Sequence, residues 1–323
     1  MVAELLSRAA DDLDSSGPLA RLVRGWQGRP VLDNLPLRVM GAIHADVLAG
    51  RAPALAAYYP SAGGHFEPDG AWRALCEHVE QSLADLRPRL GAPIQTNEVR
   101  RCCALLGGFL RVAAHRDMPL RCLEIGASAG LNLYFDRYRY ALGPHRFGDE
   151  AATLELDCHW TGPPPQLDAR LHVVARAGCD LRPVDLTDPE ARIRLTSFVW
   201  PDQLERLGRL RRAITVAVSS PAEVSDLRAV EWLPEMLGAC RSGVATVVYQ
   251  SIMWWYLSEE EREAVTGIVH EAGERATAER PLAWLRMEGA RAEETEIRIF
   301  EWPGGSDTLL GRAHWHGEWV AWL

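Results

Sequence analysis

Apolar residues in the first third of the chain recur at helical spacing. Leu5, Ala9 and Leu13 lie four residues apart, which places them on one face of a helix. The same spacing recurs in two later segments, at 72–79 and 105–113. No convincing alternation of apolar and polar residues, the pattern of a strand, precedes residue 117. The sequence therefore predicts an all-helical N-terminal cap domain that covers residues 1 to about 116.

The pattern changes near residue 120, where short apolar runs ending in Gly, Asp or Ser begin to alternate with amphipathic stretches. The apolar runs predict strands at 120–126, 153–160, 171–180, 222–226, 244–251, 281–288, 295–302 and 309–322. The amphipathic stretches predict helices at 131–140, after 187, and at 202–217, 230–240 and 258–272. Strands that alternate with helices favour a parallel sheet covered by helices.

Only a turn at 303–307 separates the last two predicted strands, so we expect them to pair antiparallel. The prediction is an α/β fold with a Rossmann-like, doubly wound, mostly parallel sheet and an antiparallel C-terminal strand. This second domain would cover residues 117–323, with an insertion at about 141–170.

Composition excludes several classes of function. The chain has 35 basic and 44 acidic residues, a formal net charge of −9, and no lysine. Without lysine there is no Schiff-base or pyridoxal-phosphate anchor, and no Walker A or kinase-type lysine. The acidic balance argues against a nucleic-acid partner, because such binding needs a clustered basic surface. We therefore expect a small-molecule substrate.

The cysteine count and the apolar segments bear on the compartment. Seven cysteines without a CxxC spacing favour reduced thiols over a disulfide framework or a zinc ribbon. The acidic N-terminus lacks the features of a signal peptide, and the most apolar segment, 244–257, is too short to span a bilayer. The sequence predicts a cytoplasmic protein without a membrane partner, and it leaves the oligomeric state open.

The segment 124–132, Glu-Ile-Gly-Ala-Ser-Ala-Gly-Leu-Asn, follows a predicted strand and opens a predicted helix. Gly126 and Gly130 allow a sharp turn and a close backbone approach to a ligand. A phosphate or dinucleotide loop fits poorly, since the G-x-G-x-x-G pattern and the P-loop lysine are both missing. A nucleophile elbow matches G-x-S-x-G at Ser128, but helices rather than strands precede it.

A third interpretation is a loop for S-adenosylmethionine, which carries no phosphate. Glu124 begins the motif, Asp180 ends the next predicted core strand, and Asp226 ends the third. Carboxylates at these positions could accept hydrogen bonds from ribose hydroxyls and from an adenine amino group. The 56 residues from Glu124 to Asp180 exceed the usual spacing of about 20, which the insertion would explain. The predicted cofactor residues are Glu124, Gly126, Ala127, Ser128, Gly130, Asn132, Asp180, Leu181, Asp226, Leu227 and Gln250.

With these residues assembled, the chain resembles class I S-adenosylmethionine-dependent methyltransferases. It is more closely similar to an uncharacterised bacterial family, domain of unknown function 2332, grouped with methyltransferase-like folds. The resemblance covers almost the whole chain and depends on segments 55–61, 95–101, 123–140, 178–189, 199–211 and 312–323. It implies a cofactor-binding fold and S-adenosylmethionine as the cofactor, and it implies no particular reaction.

Two departures from methyltransferases in general restrict the chemistry. Ser128 stands where most of them have glycine. The fourth core strand ends in Tyr249-Gln250-Ser251 and lacks the Asn/Asp-Pro-Pro-aromatic motif of enzymes that methylate amines. Methylation of DNA or of an amine is therefore disfavoured.

Residues outside the loop provide the acceptor side of the predicted site. Glu98, Ser251 and His65 are the candidate catalytic groups, although Asn97 and Glu98 also suit a helix cap. The predicted substrate residues are Tyr58, Tyr59, Arg100 and Trp254. A buried aromatic patch is the competing interpretation of Ser251 and the tryptophans beside it.

His314 and His316 alternate on one face of the last predicted strand. Their spacing suggests a metal, but no third ligand is evident nearby, so we predict packing and no metal site. The hypotheses carried forward are an S-adenosylmethionine-dependent methyltransferase with a small or medium acceptor, a non-catalytic protein that binds the same cofactor, and a hydrolase that uses Ser128.

Overall fold

The computed structural model describes residues 1–291 and 293–323. Contacts divide the chain into two compact units. The first joins Met1–Thr96 with Asp185–Arg211, and the second joins Asn97–Val184 with Arg212–Leu323. The sequence placed a single boundary near residue 116, whereas this division falls near residue 96 and adds a later segment to the first unit.

The described α-helices are α1 (Val2–Ser15), α2 (Pro18–Val23), α3 (Leu35–Leu48), α4 (Pro53–Ala56), α5 (Pro68–Gln81), α6 (Leu83–Arg89), α7 (Cys102–Arg116), α8 (Pro189–Ser197), α9 (Leu204–Ser219), α10 (Ala229–Gly238) and α11 (Glu259–Glu274). Short 3-10 helices lie at Pro60–Ala62, Val99–Arg101, Leu131–Arg137 and Trp254–Tyr256. The strands are β1 (Leu120–Ile125), β2 (Arg139–Leu142), β3 (His145–Phe147), β4 (Glu155–Thr161), β5 (Val173–Asp180), β6 (Glu223–Asp226), β7 (Ala245–Ser251), β8 (Leu282–Arg291), β9 (Glu294–Trp302), β10 (Ser306–His314) and β11 (Trp319–Trp322).

The first unit has a core of leucine, valine and aromatic side chains from its helices. One buried carboxylate, Asp46 on α3, lies beside that core and contacts three cationic or imidazole groups. Oδ1 of Asp46 accepts hydrogen bonds from Arg51 and Arg89 at 2.8 and 2.7 Å, and Oδ2 lies 3.0 Å from Nε2 of His78. Burial opposes the charge of Asp46, but these three partners outweigh it and hold the pKa of the carboxyl well below its usual range.

The second unit contains a mixed, mostly parallel sheet with strand order β3-β2-β4-β11-β10-β9-β8-β7-β1-β5-β6. At its centre, β6, β5, β1, β7 and β8 are all parallel. Along the chain these are the third, second, first, fourth and fifth strands of the parallel set. The order reverses between β1 and β7, and in such sheets ligands bind outside the carboxyl ends of the strands at that reversal.

Alternation along β1 distributes its side chains to the two faces of the sheet. Leu123 and Ile125 join an apolar cluster with α10 and α11. Cys122 and Glu124, which alternate with them along the strand, therefore point to the other face. There α7 approaches closely enough that a side chain at Gly108 would meet Leu285 of β8. Both faces of the central sheet are covered, which agrees with the predicted α/β class.

Two predicted elements differ from the structure. The predicted helix at 131–140 is a kinked 3-10 helix at Leu131–Arg137, followed by β2. The reason is that buried Tyr140 and Leu142 alternate with half-buried Arg139 and Ala141 and pair with β4, so tertiary pairing outweighs local helical spacing. The predicted strand at 309–322 is interrupted by a turn at 315–318 and forms β10 and β11, which pair antiparallel with each other.

The prediction that the last two apolar runs, 295–302 and 309–322, pair antiparallel is confirmed by the pairing of β9 with β10. The sequence did not predict β2 and β3, and it did not predict that β4 pairs with β11 at a distance from the parallel core. Among the described helices, none has the length and apolar character needed to cross a membrane.

Candidate functional site

The loop after β1 lies at the point where the strand order reverses. Gly126, Ser128 and Gly130 all have positive φ, at 70°, 54° and 69°. The N–H groups of Gly126 and Ala127 donate to the carbonyl of Cys179 on β5, at 2.9 and 3.0 Å. Positive φ at Ser128 is unfavourable for a residue with a side chain, and such strain is concentrated at functional sites. The loop is therefore a fixed, unusual backbone turn at the edge where a ligand is expected.

Asp180, the last residue of β5, fastens this loop. Its Oδ2 accepts a hydrogen bond from the N–H of Ser128 at 2.9 Å, and its Oδ1 accepts one from the N–H of Arg182 at 2.9 Å. Asp226 ends β6 directly opposite Asp180 in the strand register, and its side chain is exposed. The structure thus brings Asp180 to the loop and places Asp226 beside it, at the same edge of the sheet.

The residues that follow these two acids are exposed and apolar. Leu181 is 64% exposed and Leu227 is 40% exposed. Both follow strand ends at the same edge, on neighbouring strands about 4.8 Å apart. Exposed leucine side chains can pack on an aromatic ring. The neighbouring carboxylates can accept hydrogen bonds from polar groups on that ring.

Asn97 and Asn132 fix the far side of the loop. Oδ1 of Asn97 accepts a hydrogen bond from the N–H of Leu131 at 3.0 Å. Asn132 is buried, and its Oδ1 accepts a 3.3 Å contact from the thiol of Cys102 on α7. The sequence interpreted Asn97 as a helix cap; the structure uses it instead to hold a loop more than 30 residues away.

Glu124 is fully buried behind the loop. Burial raises the pKa of its carboxyl to about 8, although hydrogen bonds from Tyr249 and Asn132 and the charge of Arg101 oppose that shift. The hydroxyl of Tyr249 on β7 donates to Oε2 of Glu124 at 3.2 Å. At neutral pH a carboxyl with this pKa is mostly protonated. A cationic ligand bound nearby would favour its ionised form and lower the pKa.

A second perturbed carboxyl, Glu288 on β8, lies near the end of β7. It accepts hydrogen bonds from the N–H groups of Met253 and Trp254, both at 3.3 Å. Burial raises the pKa of Glu288 to about 7, against the effect of those two N–H groups. Carboxyls whose pKa is raised in this way are common at functional sites.

Gln250 is fully buried on β7, and its Oε1 accepts a 3.0 Å hydrogen bond from the indole N–H of Trp284. Its amide is close enough to Glu288 to lower the pKa of that carboxyl, but its Nε2 makes no hydrogen bond of ordinary geometry. Two residues later, Ile252 has φ at 54°, a strained value for a β-branched residue. The end of β7 therefore combines backbone strain with an incompletely bonded amide.

Arg101 connects this strand end to the turn between β10 and β11. Its Nη1 donates to the carbonyl of Ser251 at 3.2 Å, and its Nε donates to the carbonyl of Trp315 at 3.0 Å. Its charge also lowers the pKa values of Glu124 and Glu288. Neither Arg101 nor Glu288 was predicted as a site residue, because the contacts of each depend on partners far along the chain.

Ser128 also has a buried polar atom without a hydrogen-bond partner. The side chain is 8% exposed, and its Oγ makes no hydrogen bond to any described residue. A hydrolytic serine needs a base within hydrogen-bond distance. In the described part of the chain the structure places no such base within hydrogen-bond distance of Ser128 Oγ.

The predicted substrate and catalytic residues are divided between the two units. Glu98 is buried and accepts a hydrogen bond from the N–H of Arg100 at 3.2 Å, so it caps the 3-10 helix at Val99–Arg101. The Arg100 guanidinium donates to the carbonyl and to Oδ2 of Asp157 at 2.7 and 2.6 Å, so this charge is already paired. Ser251 is buried, and Trp254 is half-buried against Trp284.

The remaining three predicted residues belong to the first unit. Tyr59 is fully buried in the helical core, its hydroxyl has no hydrogen-bond partner among the described residues, and burial raises its pKa. Tyr58 packs beside that core, and His65 is exposed in the following loop. Their roles in substrate binding and catalysis stay predictions.

The turn at 315–318 corrects the interpretation of the two histidines. His314 ends β10 and His316 lies in the turn, so they do not share one strand face. Glu318 supplies the third donor that the sequence analysis did not find. One ligand atom from each of the three residues lies within 4.8 Å of the others. The signal was present as His-x-His-x-Glu, but only the turn brings the carboxylate back to the histidines.

The sheet edge thus combines a strained loop, two adjacent carboxylates, two carboxyls of raised pKa and, among the described residues, two buried polar atoms without a hydrogen bond of ordinary geometry. A search of the curated proteins finds no match to this chain. The profile of one protein family, described as "uncharacterized protein conserved in bacteria (DUF2332)", matches residues 1–322. The chain therefore belongs to this bacterial family.

Proposed function

We propose that the protein is an S-adenosylmethionine-dependent methyltransferase that acts on a small or medium, partly apolar acceptor. The observation that carries the proposal is the 2.9 Å hydrogen bond between Asp180 and the positive-φ loop at the reversal of strand order. This cofactor has no phosphate, so its binding requires neither lysine nor a third glycine. It requires close backbone contact and carboxylates beside the ribose and the adenine.

The neighbouring residues support a distribution of roles. Each oxygen of Asp180 accepts one N–H bond and keeps further acceptor capacity for the ribose hydroxyls. Asp226 would accept from the adenine amino group, and Leu181 and Leu227 would cover the ring. Ser128 Oγ has no hydrogen-bond partner among the described residues and is available to a polar group of the ligand. Gln250 Nε2 makes no hydrogen bond of ordinary geometry there and could donate to a second polar group.

The acceptor side would be formed after β7. Ser251 is buried, Trp254 is half-buried and Trp255 is 54% exposed. Such a surface would exclude water around the transferring methyl group and position the acceptor, and positioning alone can supply several kcal/mol of the barrier. Glu124 and Glu288 would provide negative charge near a sulfonium once the cation lowers their pKa values.

Calorimetry with S-adenosylhomocysteine tests the proposal. We expect the wild type to bind and Leu181→Ser to bind at least about tenfold more weakly, because exposed Leu181 has little packing to lose except against the ligand. Asp180→Asn should also weaken binding, while Asp168→Ala, at an exposed loop position before β5, should not. The proposal would be contradicted if the wild type did not bind, or if Leu181→Ser and Asp180→Asn both bound as tightly as the wild type.

One observation favours a second candidate, a protein that binds the cofactor without catalysis. Cβ, Cγ and Cε of Met253 lie 3.0, 3.2 and 3.4 Å from where a side chain at Gly126 would begin, so the protein's own side chain fills space beside the loop that an acceptor would need. Met253→Ala removes Cγ and Cε and tests this. If Met253 fills the site, the variant should bind S-adenosylhomocysteine more tightly than the wild type; unchanged or weaker binding would count against the second candidate.

A further inference from the structure

The turn between β10 and β11 gathers three ligand-type side chains on a fixed backbone. His314 Nδ1 lies 3.8 Å from Oε2 of Glu318, and the rings of His314 and His316 are 5.5 Å apart. One donor atom from each residue lies within 4.8 Å of the other two. Two nitrogen ligands and one carboxylate in this arrangement are a frequent set for a divalent transition-metal ion.

The backbone of the turn is held by other elements, so the donors do not depend on a mobile loop. Arg101 Nε donates to the carbonyl of Trp315, and the N–H of His159 on β4 donates to the carbonyl of Glu318 at 2.9 Å. Gly317 has φ at 74°, and a side chain there would collide with the carbonyl of Arg100. A preorganised backbone lowers the cost of collecting ligands around an ion.

The geometry requires only small side-chain movements to bind an ion. Ligands at about 2.0–2.1 Å from a tetrahedral ion are about 3.3 Å apart, so no pair of donors would need to close by more than about 1.5 Å. His314 Nδ1 now accepts a long, 3.4 Å hydrogen bond from the N–H of His316, which is a weak bond to replace. The nearby charge of Arg100 is already paired with Asp157, which reduces its repulsion of a cation.

We propose that His314, His316 and Glu318 form a binding site for one divalent transition-metal ion. Three protein ligands leave at least one coordination position open to water or to a substrate. Arg101 bridges this turn to the carbonyl of Ser251, so the ion would lie next to the end of β7. The proposal rests on the turn alone and does not depend on the cofactor.

Calorimetry with Ni²⁺ on the full chain, after treatment with a chelator, provides the test. Imidazole and carboxylate suit this ion, and five of the seven thiols are buried. We expect one ion per chain, and at least about tenfold weaker binding in both His314→Gln and Glu318→Gln. The control is His172→Gln, because His172 is exposed and outside the cluster.

Two further measurements distinguish a lost metal ligand from a misfolded variant and locate the bound ion. Thermal unfolding without metal shows whether each variant is folded, and broadening of the His314 and His316 ring signals by paramagnetic Ni²⁺ locates the ion. Failure of the wild type to bind Ni²⁺ would overturn the proposal, as would binding by both folded variants at wild-type affinity. Neither result would bear on S-adenosylhomocysteine binding.

Discussion

Oδ2 of Asp180 accepts a 2.9 Å hydrogen bond from the backbone N–H of Ser128. This contact joins the end of β5 to the loop after β1, although 52 residues separate the two in sequence. The same carboxylate would be needed to bind a ribose, so it has both a structural role and a proposed functional role. Unfolding measures the structural role, and ligand binding measures the functional one.

Replacement of Asp180 by alanine should destabilise the second unit. Two hydrogen bonds from the N–H groups of Ser128 and Arg182 would be lost. We expect the free energy of unfolding to fall by about 1–3 kcal/mol in urea titrations. Asp168→Ala should change it by less than about 0.5 kcal/mol. Equal stability of the Asp180 variant and the wild type would mean that this contact does not fasten the loop.

Gly126→Ala should be more costly than the same change at Gly243. Both glycines have positive φ, at 70° and 77°, so both substitutions incur about 1–2 kcal/mol of backbone strain. Only at Gly126 would the new Cβ also lie 3.0 Å from Met253, whereas nothing lies within 4 Å at Gly243. Denaturant unfolding of the two variants measures the difference. A larger loss at Gly243 would show that Met253 does not restrict the loop.

Glu124→Gln should change how stability depends on pH. The folded pKa of Glu124 is raised to about 8 from an ordinary value of 4.5, so the folded state holds a proton that the unfolded chain releases. The wild type therefore loses stability as the pH rises from about 4.5 to about 8. Glutamine carries no titrating proton, so its stability relative to the wild type should increase across that range. Thermal unfolding at several pH values checks this, and parallel curves would contradict it.

Ser128→Ala should leave stability unchanged or raise it slightly, since Oγ of Ser128 is buried without a hydrogen bond. Ser258→Ala is the matched control, because Ser258 caps α11 by accepting a bond from the N–H of Glu261. That change should cost about 1 kcal/mol. A fluorophosphonate probe should not label the wild type at Ser128. Labelling that disappears in Ser128→Ala would instead favour the hydrolase hypothesis.

Much of the second unit could be predicted from sequence because its signals are local. The run before Gly126, the β-branched run before Gln250 and the capping box at Ser258 each specify an element through neighbouring residues. The acids at the ends of β5 and β6 could be placed at one sheet edge, because parallel strands end together. The prediction of an element was wrong where pairing with a distant strand competed with local spacing, as at Tyr140.

The sequence by itself determined that arginine replaces lysine throughout and that the chain is a mixed α/β protein. It also determined a glycine-containing loop after a buried strand and acidic residues at the following strand ends. The tertiary structure alone decided that Asp180 bonds to Ser128, that Arg101 joins Ser251 to Trp315, and that Glu318 returns to His314. The physical reason is range. A strand or a loop follows from residues a few positions apart, whereas a site requires side chains from distant segments, and only the packed sheet fixes their distances.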